Sequence, residues 1–253
     1  MELVFLTALG IGGATVVGAL LGFIFKNISH KFSDIVLSFA AGVMLCAAII
    51  GLILPSLEYG GGKDGLLMTI AGIFCGAFCL NLLDKVTPHL HRLAGVEHEA
   101  HPEQTKRINK VLLFVMAIGI HNLPEGIAAG VGFGTENVAQ AMSIAVGIAL
   151  QNIPEGMVII APMLAAGMSQ WRTFWCAMAT GLVEVLGTLL GYFAVTLSST
   201  ILPFALAFAG GTMLYVISDE MIPETHAHGS ERGATYSLLA GFCLMLIFDV
   251  LLG

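Results

Sequence analysis

The chain has 253 residues, of which 57% are hydrophobic and only 11% are charged, with a formal net charge of −7 and a mean hydropathy of +0.91. Soluble domains average about 25% charged residues. The composition therefore excludes an ordinary soluble domain and indicates an integral membrane protein, for which the lipid bilayer is a partner and nucleic acid is not.

Long apolar runs follow one another along the chain. A transmembrane helix needs about 20 mostly apolar residues, and eight runs meet this need. They are apolar nearly all the way round, as helices in lipid are, and they are too long for strands of a membrane barrel. The sequence predicts an all-α integral membrane protein of one transmembrane domain, 1–253, built as a bundle of eight transmembrane helices. In chain order the predicted spans cover about 3–25, 35–57, 66–83, 111–134, 138–168, 173–195, 201–219 and 235–252.

The positive charges predict the orientation of these spans. Nine of the ten Lys and Arg residues lie in the connections after spans one, three, five and seven, and only Lys63 lies in an even connection. Lys and Arg are enriched in cytoplasmic loops. The odd connections are therefore expected in the cytoplasm and both termini outside, in a multi-pass protein of the cytoplasmic (inner) membrane.

Three polar side chains lie near the centre of predicted spans. His121, Gln151 and Glu184 are ten to thirteen residues inside the fourth, fifth and sixth spans. At about 1.5 Å per residue they lie roughly 15–20 Å deep in an apolar layer about 30 Å thick. A charged group at that depth costs about 2.5–3.5 kcal/mol on insertion scales, so it normally faces a protein interior or a water-filled path.

Two similar motifs surround these residues, HNLPEG at 121–126 and QNIPEG at 151–156. His121 and Glu125 are four residues apart, as are Gln151 and Glu155, so each pair lies on one face of its helix. Two facing helices would bring together an imidazole, an amide oxygen and two carboxylates. These groups suit a divalent transition metal such as Zn²⁺.

A proline lies inside each motif, which predicts kinked fourth and fifth spans. Pro124 and Pro154 lack an amide hydrogen and free the carbonyls of Ile120 and Leu150. Interrupted helices in corresponding repeats are typical of a transporter's substrate site. Hydrogen bonding between helices is the alternative for one such motif. If both motifs and Glu184 served only for hydrogen bonding between helices, three acids would be buried without a cation. A metal path is therefore the favoured interpretation.

Further polar groups lie near the ends of the predicted spans. The connection at about 85–109 is rich in His and acids that can collect metal, although a solvated loop explains it almost as well. Acids and histidines gather again at the cytoplasmic end of span seven, as a candidate exit site. Two aspartates near span ends are either part of the path or ordinary interfacial residues. The candidates for this secondary metal path are Asp84, Asp219, Glu220, Glu224, His226 and Asp249.

On these motifs the chain resembles the ZIP family of metal transporters, in particular its bacterial GufA-like branch. The resemblance covers essentially the whole chain. Its two hexapeptides are supported by SFAAGVML at 38–45, GLVEVLG at 181–187 and SDEMIPETH at 218–226.

The resemblance implies a transport site for two metal ions, bridged by the two motif glutamates. Asn152 stands where some relatives have Asp, so the second position has one fewer negative charge. The resemblance also implies uptake by alternating access, with one helix bundle that contains the fourth and fifth spans moving against the other. The implied ligands are His121, Glu125, Gln151 and Glu155 for one ion, and Asn122, Glu125, Asn152, Glu155 and Glu184 for the other.

The predicted function is import of a divalent metal into the cytoplasm, with Zn²⁺ as the first candidate substrate and Fe²⁺, Mn²⁺ and Cd²⁺ as others, and no enzymatic activity. An intramembrane zinc-dependent hydrolase is the alternative, but the His-Glu-x-x-His motif expected of it is absent from the sequence. A metal sensor without transport is a third interpretation, which leaves the two motif prolines unexplained. The GxxxG patterns 126–130 and 187–191 can pack helices closely, so a homodimer is compatible with the sequence.

Overall fold

The computed structural model describes residues 1–25, 29–93, 102–135 and 137–252, without the side chains of 84, 86–93, 102–114, 117 and 199. Within these ranges the chain is helical and has no β-strand, which confirms the predicted all-α class. The helices are α1 Glu2–Ile24, α2 His30–Cys46, α3 Leu54–Tyr59, α4 Leu66–Leu93, α5 Pro102–Gly132, α6 Val138–Ala165, α7 Gln170–Leu197, α8 Leu202–Val216, α9 Ile222–Thr225 and α10 Glu231–Leu252.

Seven helical runs in the described residues are long and apolar enough to cross a membrane. They are Glu2–Ile24, His30–Tyr59, Leu66–Leu83, Val138–Ala165, Gln170–Leu197, Leu202–Thr225 and Glu231–Leu252. The remaining predicted span, 111–134, lies in α5, whose side chains are only partly described and which is not among the seven.

Two of these runs contain a wide, π-helical segment. Ala47–Ile53 joins α2 to α3, and Ile217–Met221 joins α8 to α9. In both cases a proline follows two residues later, at Pro55 and Pro223. A proline ring clashes with the carbonyl four residues earlier, which here lies inside the π segment, and a wider turn makes room for it.

Local sequence signals fix several helix boundaries. Ser29, Asn137 and Ser169 accept hydrogen bonds from backbone amides three residues later, at 3.3, 3.1 and 3.4 Å, and so cap α2, α6 and α7. Gly61 and Gly62 follow α3 with φ of +84° and +66°, a conformation that glycine adopts without strain. The connection between α3 and α4 therefore turns sharply.

Glycines bring four helices together into one group, the motif bundle, which consists of α1, α5, α6 and α7. A Cβ added at Gly126 or Gly130 would overlap the backbone carbonyl of Glu184 or Thr188 on α7. Gly187 and Gly191 meet the backbone of α5 in the same way, and Gly156 on α6 meets α1. The two GxxxG patterns thus pack α5 against α7 inside the chain.

A second group, the companion bundle, consists of α4, α10 and the runs His30–Tyr59 and Leu202–Thr225: α2 packs against α10, α4 packs against α8, and the segment Ala47–Tyr59 packs against α8. Its helices also approach through glycine, since Gly42 lies against the Leu238 carbonyl and Gly241 against the Phe39 carbonyl. Gly76 on α4 lies against the Phe208 carbonyl of α8, and Gly211 on α8 lies against the Ile73 carbonyl of α4. The described helices therefore form two glycine-packed bundles, with the two hexapeptide motifs in one of them.

Contacts at the helix ends agree with the predicted alternation of the connections. His30, at the start of α2, stacks on His228, just before α10. Ser143, near the start of α6, donates to Asp249 near the end of α10 at 3.2 Å. The connections after the first and seventh predicted spans therefore meet at one end of the molecule, and the end of α10 lies at the other.

Candidate metal site

The two motifs lie on α5 and α6 inside the motif bundle, and all of their polar side chains except Glu155 are almost fully buried. His121 is 7% exposed, and the exposure of Asn122, Glu125, Gln151 and Asn152 is 0–1%. Glu184 on α7 is fully buried, while Glu155 is half-buried. Such a set of buried polar groups needs partners, because an unpaired buried charge is strongly destabilising.

Glu184 is the centre of a hydrogen-bond network that joins all four helices of the motif bundle. Its Oε1 accepts from the side-chain amide of Asn122 and from Thr15 Oγ1 at 2.9 Å. Its Oε2 accepts from Asn152 Nδ2 at 2.5 Å. Both carboxylate oxygens are therefore occupied by neutral donors on α1, α5 and α6.

The same contacts fix the orientation of the two asparagines. Asn122 Nδ2 also lies 3.4 Å from the Thr180 carbonyl, and Asn152 Nδ2 lies 3.3 Å from the Ile11 carbonyl. Carboxylate and carbonyl oxygens only accept hydrogen bonds, so the NH₂ group of each amide must face them. The two Oδ1 atoms therefore face away from Glu184.

Several polar atoms of the motifs are buried without a hydrogen-bond partner among the described residues. They are Asn122 Oδ1, Asn152 Oδ1, both carboxylate oxygens of Glu125, and both amide atoms of Gln151. In folded proteins most such atoms are satisfied. Five of the six are oxygens, which are electron-pair donors that suit a cation.

Carboxylates lie close together around Glu125. Glu155 and Glu184 both repel it electrostatically, and the amide of Gln151 lies beside it but outside hydrogen-bond geometry. Glu155 is in turn attracted by His121. A divalent cation between the motifs would relieve this repulsion.

The two motif helices differ in what their first residue contacts. His121 Nε2 lies 2.8 Å from Glu220 Oε1 in the π-helical segment of the companion bundle, whereas Gln151 stays buried in the motif bundle. In the described part of the chain, no three His, Cys, Asp or Glu side chains are placed to enclose one metal ion as they stand. A metal ion bound by His121 Nε2 would compete with the contact of this nitrogen to Glu220.

A cavity of about 500 Å³ lies between the two bundles. From the motif bundle it is lined by His121, Glu125 and Glu155. From the companion side it is lined by Asp219, Glu220 and Glu224. The structure thus brings three residues of the sequence-predicted exit cluster to the same space as the motif residues.

The other predicted path residues lie elsewhere. His226 is held locally, with Nδ1 2.8 Å from the Ile222 carbonyl and Nε2 3.2 Å from Thr235 Oγ1. Asp249 contacts Ser143 at the opposite end of the molecule. The side chains of Asp84 and of the histidines in 85–109 lie outside the described residues.

Sequence reasoning did not find Thr15. It is an isolated hydroxyl in an apolar span, with no spacing relation to the motifs, and only the packing of α1 against α7 brings it to Glu184.

Comparisons with known proteins show to which family the chain is similar. The chain matches the sequence profile of the ZIP Zinc transporter family over residues 91–249. It is 42% identical over 247 residues to zinc transporter GufA of Myxococcus xanthus, covering 96% of each chain. It is 39% identical to zinc transporter ZIPB of Bordetella bronchiseptica, covering 95% of this chain and 78% of the relative. It is 34% identical to zinc transporter ZupT of Chlorobaculum parvum, covering 93% of this chain and 92% of the relative.

Proposed function

Because the chain belongs to the ZIP family of zinc transporters, we propose that it imports Zn²⁺ into the cytoplasm through a two-metal site between α5 and α6. Family membership makes the chain a multi-pass metal transporter and not an enzyme, which removes the hydrolase alternative. The observation that carries the proposed site is the set of buried, unpartnered oxygens on the two motifs.

The first metal position is formed by His121, Glu125, Gln151 and Glu155. An imidazole nitrogen and three side chains with oxygen donors suit Zn²⁺ and discriminate poorly against Fe²⁺, Mn²⁺ and Cd²⁺. Both oxygens of Glu125 and the Gln151 oxygen lack other partners, so they are available without loss of existing hydrogen bonds.

The second position uses Asn122 Oδ1 and Asn152 Oδ1, with Glu125 and Glu155 shared between both ions. The family resemblance implies Glu184 as a direct ligand here. Its carboxylate accepts from both asparagines and from Thr15, so we assign it the role of turning the two amide oxygens toward the ion. A shell with two neutral amide oxygens binds a cation less tightly than one with a further carboxylate, so the second position is the weaker one.

The proposed release path runs through the cavity between the bundles. His121 Nε2 lies 2.8 Å from Glu220 Oε1 at the edge of this cavity. Asp219 and Glu224 line the same cavity beyond it. If His121 leaves the metal and pairs with Glu220, the first position binds the ion less tightly. The ion can then move toward Asp219 and Glu224.

The two-bundle architecture supports alternating access. Helix backbones touch through glycine between α1, α6 and α7, between α5 and α7, between α2 and α10, and between α4 and α8. Each bundle would therefore move as one body, and the cavity lies at their boundary. We propose eight spans including α5, kinks at Pro124 and Pro154, and both termini outside the inner membrane. An inside-negative potential of 100 mV favours entry of a dication by about 4.6 kcal/mol.

The test is uptake of radiolabelled zinc into proteoliposomes held at an inside-negative potential. Wild type is expected to accumulate zinc, and excess unlabelled Cd²⁺, Fe²⁺ or Mn²⁺ to compete. Glu125→Gln is expected to abolish uptake, while Glu231→Gln, an exposed acid at the start of α10, is expected to leave it unchanged. Full uptake by Glu125→Gln, or none by wild type, would exclude the proposed site.

A further inference from the structure

The cavity between the two bundles is larger than the release of one metal ion requires. Its volume of about 500 Å³ lies within the range of roughly 300–1,000 Å³ that is typical of pockets for small organic molecules. A divalent ion with six waters needs only about 200 Å³, at about 30 Å³ for each water. The cavity therefore has room for a larger ligand than the proposed substrate.

Much of the cavity wall is apolar. It is lined by Leu37 on α2, Ile118 on α5, Val158 on α6, Val216 on α8 and Met221 at the end of the π-helical segment. All of these side chains except Val216 are only half-buried by the rest of the chain. A hydrated ion leaves such apolar surface in contact with water, whereas a hydrocarbon chain removes it from water, which is favourable. The wall therefore suits a ligand with an alkyl segment.

The polar part of the wall is acidic on both sides of the cavity. Glu125 and Glu155 line it from the motif bundle, and Asp219, Glu220 and Glu224 line it from the companion bundle. In the described part of the chain, no Lys or Arg lines this cavity. A cleft lined by charges of one sign raises the local concentration of ions of the opposite sign. The ligand that fits is therefore a cation.

Glu125 shows that these acids lack partners inside the protein. It is 1% exposed and lines the cavity, and both of its carboxyl oxygens are buried without a hydrogen-bond partner among the described residues. Buried polar atoms normally have a partner. An ammonium group has three N–H donors and no acceptor, so it matches neighbouring carboxyl oxygens.

The acids lie at two depths. α5 runs away from the release end of the molecule, whereas the π-helical segment and α9 run toward it. His121 and Glu220 are in contact at 2.8 Å, Glu125 lies one turn deeper, and Glu224 lies one turn nearer the release end. Four residues rise about 6 Å, so Glu125 and Glu224 differ in depth by roughly 12 Å. Hydrogen bonds of about 3 Å at each end leave a gap that a short alkyl chain with two ammonium groups can bridge.

We propose that this cavity binds a linear alkyl diammonium ion. One ammonium group lies between Glu125 and Glu155, the other lies beside Glu224, and the methylene chain covers Ile118 and Val158. Binding itself does not require transport. Its consequence, inhibition of metal release by an organic diamine at the cytoplasmic face, rests on the proposed function.

The test is calorimetry on the metal-free full chain in a non-ionic detergent with EDTA. The probe is 1,5-diaminopentane, and pentylamine, with the same chain and one ammonium group, is the matched ligand. We expect one diamine to bind per chain, about 10-fold or more tightly than pentylamine, because a second charged hydrogen-bonding group is engaged. No diamine binding, or equal affinity for the two amines, overturns the proposal.

Variants locate the bound diamine. Asp219 and Glu224 are exposed, so Asp219→Asn/Glu224→Gln leaves the packing of the helices unchanged. We expect it to weaken diamine binding by about 5-fold. Glu231→Gln removes an exposed acid at the start of α10, outside the cavity, and is expected to have no effect. Equal weakening by the two variants would show only a general attraction to an acidic protein and overturns the proposed site.

Zinc uptake separates this site from the proposed function. If the diamine binds as expected but wild type takes up no zinc, the transport proposal fails and the diamine site stands. If zinc is taken up but the diamine does not bind, only the diamine site fails. Where both occur, diamine enclosed at the release face of proteoliposomes is expected to lower the initial rate of zinc uptake. An unchanged rate would overturn the inhibitory role.

Discussion

Asn152 donates its side-chain amide to Glu184 Oε2 over 2.5 Å, and this contact ties α6 to α7 beside the proposed metal positions. An aspartate at 152 has no hydrogen to donate and would face Glu184 with a second negative charge. An amide at 152 therefore supplies this hydrogen bond at the expense of a negative charge in the proposed second metal position.

Asn152→Asp is accordingly expected to have opposite effects with and without metal. Without metal, the loss of a buried hydrogen bond to a charged group should lower the free energy of unfolding by about 1.5–3 kcal/mol. With zinc, the added carboxylate should raise metal occupancy, and zinc should raise the melting temperature of the variant by more than that of wild type. Melting curves and metal content measure both. Asn137→Asp, an exposed cap of α6, is the control, and unchanged stoichiometry at saturating zinc would contradict the expectation.

Thr15→Val tests the positioning role of Glu184. The substitution keeps the shape of the side chain but removes the hydrogen bond to Glu184 Oε1, so Glu184 and the two asparagines lose one restraint. We expect a higher KM for zinc uptake, by about 5-fold for a loss of about 1 kcal/mol, with the wild-type value restored in Thr15→Ser. Thr196→Val removes a comparable hydroxyl that is exposed on α7, and an equal effect there would argue against a specific role.

Gly126→Ala tests the packing of α5 against α7. The added methyl would overlap the Glu184 carbonyl, and a backbone atom cannot rotate away as a flexible side chain can. We expect destabilisation of about 1–3 kcal/mol from overpacking, together with reduced zinc uptake because Glu184 is displaced. Gly13→Ala is the control, since its new Cβ would meet nothing within 4 Å. Equal melting temperatures for the two variants would show that α5 and α7 are not closely packed.

Glu220→Gln tests the competition for His121. Glu220 is partly exposed, with 34% of its side chain accessible, so the pair with His121 contributes about 1 kcal/mol or less. Weakening this pair should raise the affinity of the first position for zinc by up to about 5-fold. It should also slow turnover, because Glu220 then no longer draws His121 away from the departing metal. Calorimetry on the purified protein and initial uptake rates measure the two effects. If zinc affinity and uptake rate both fall, Glu220 is instead a ligand of the bound zinc ion.

Much of the architecture follows from the sequence because it depends on local patterns. The predicted spans 138–168 and 173–195 correspond to α6 Val138–Ala165 and α7 Gln170–Leu197, since runs of apolar residues bounded by caps define membrane helices. Four-residue spacing places His121 and Glu125 on one face, and both line the cavity.

Relations between distant helices do not follow from such patterns. His228 Nδ1 lies 3.0 Å from Asp34 Oδ1, 194 residues away in the chain, and Asp34 precedes the predicted run 35–57, so it has the pattern of an ordinary loop residue. The partner of Gly126 and Gly130 also depends on which helix packs there. Helical periodicity identifies a face but not the neighbour that it meets.

The π-helical segment Ile217–Met221 has a mechanical consequence for the residues beyond it. A π-turn holds one residue more than an α-turn, and one residue of an α-helix corresponds to about 100° of rotation and about 1.5 Å of rise. If the extra residue passes to the neighbouring turn, the segment beyond it rotates and advances without either bundle losing its internal packing. Glu220 lies within this segment, so such a shift would move its carboxylate relative to His121.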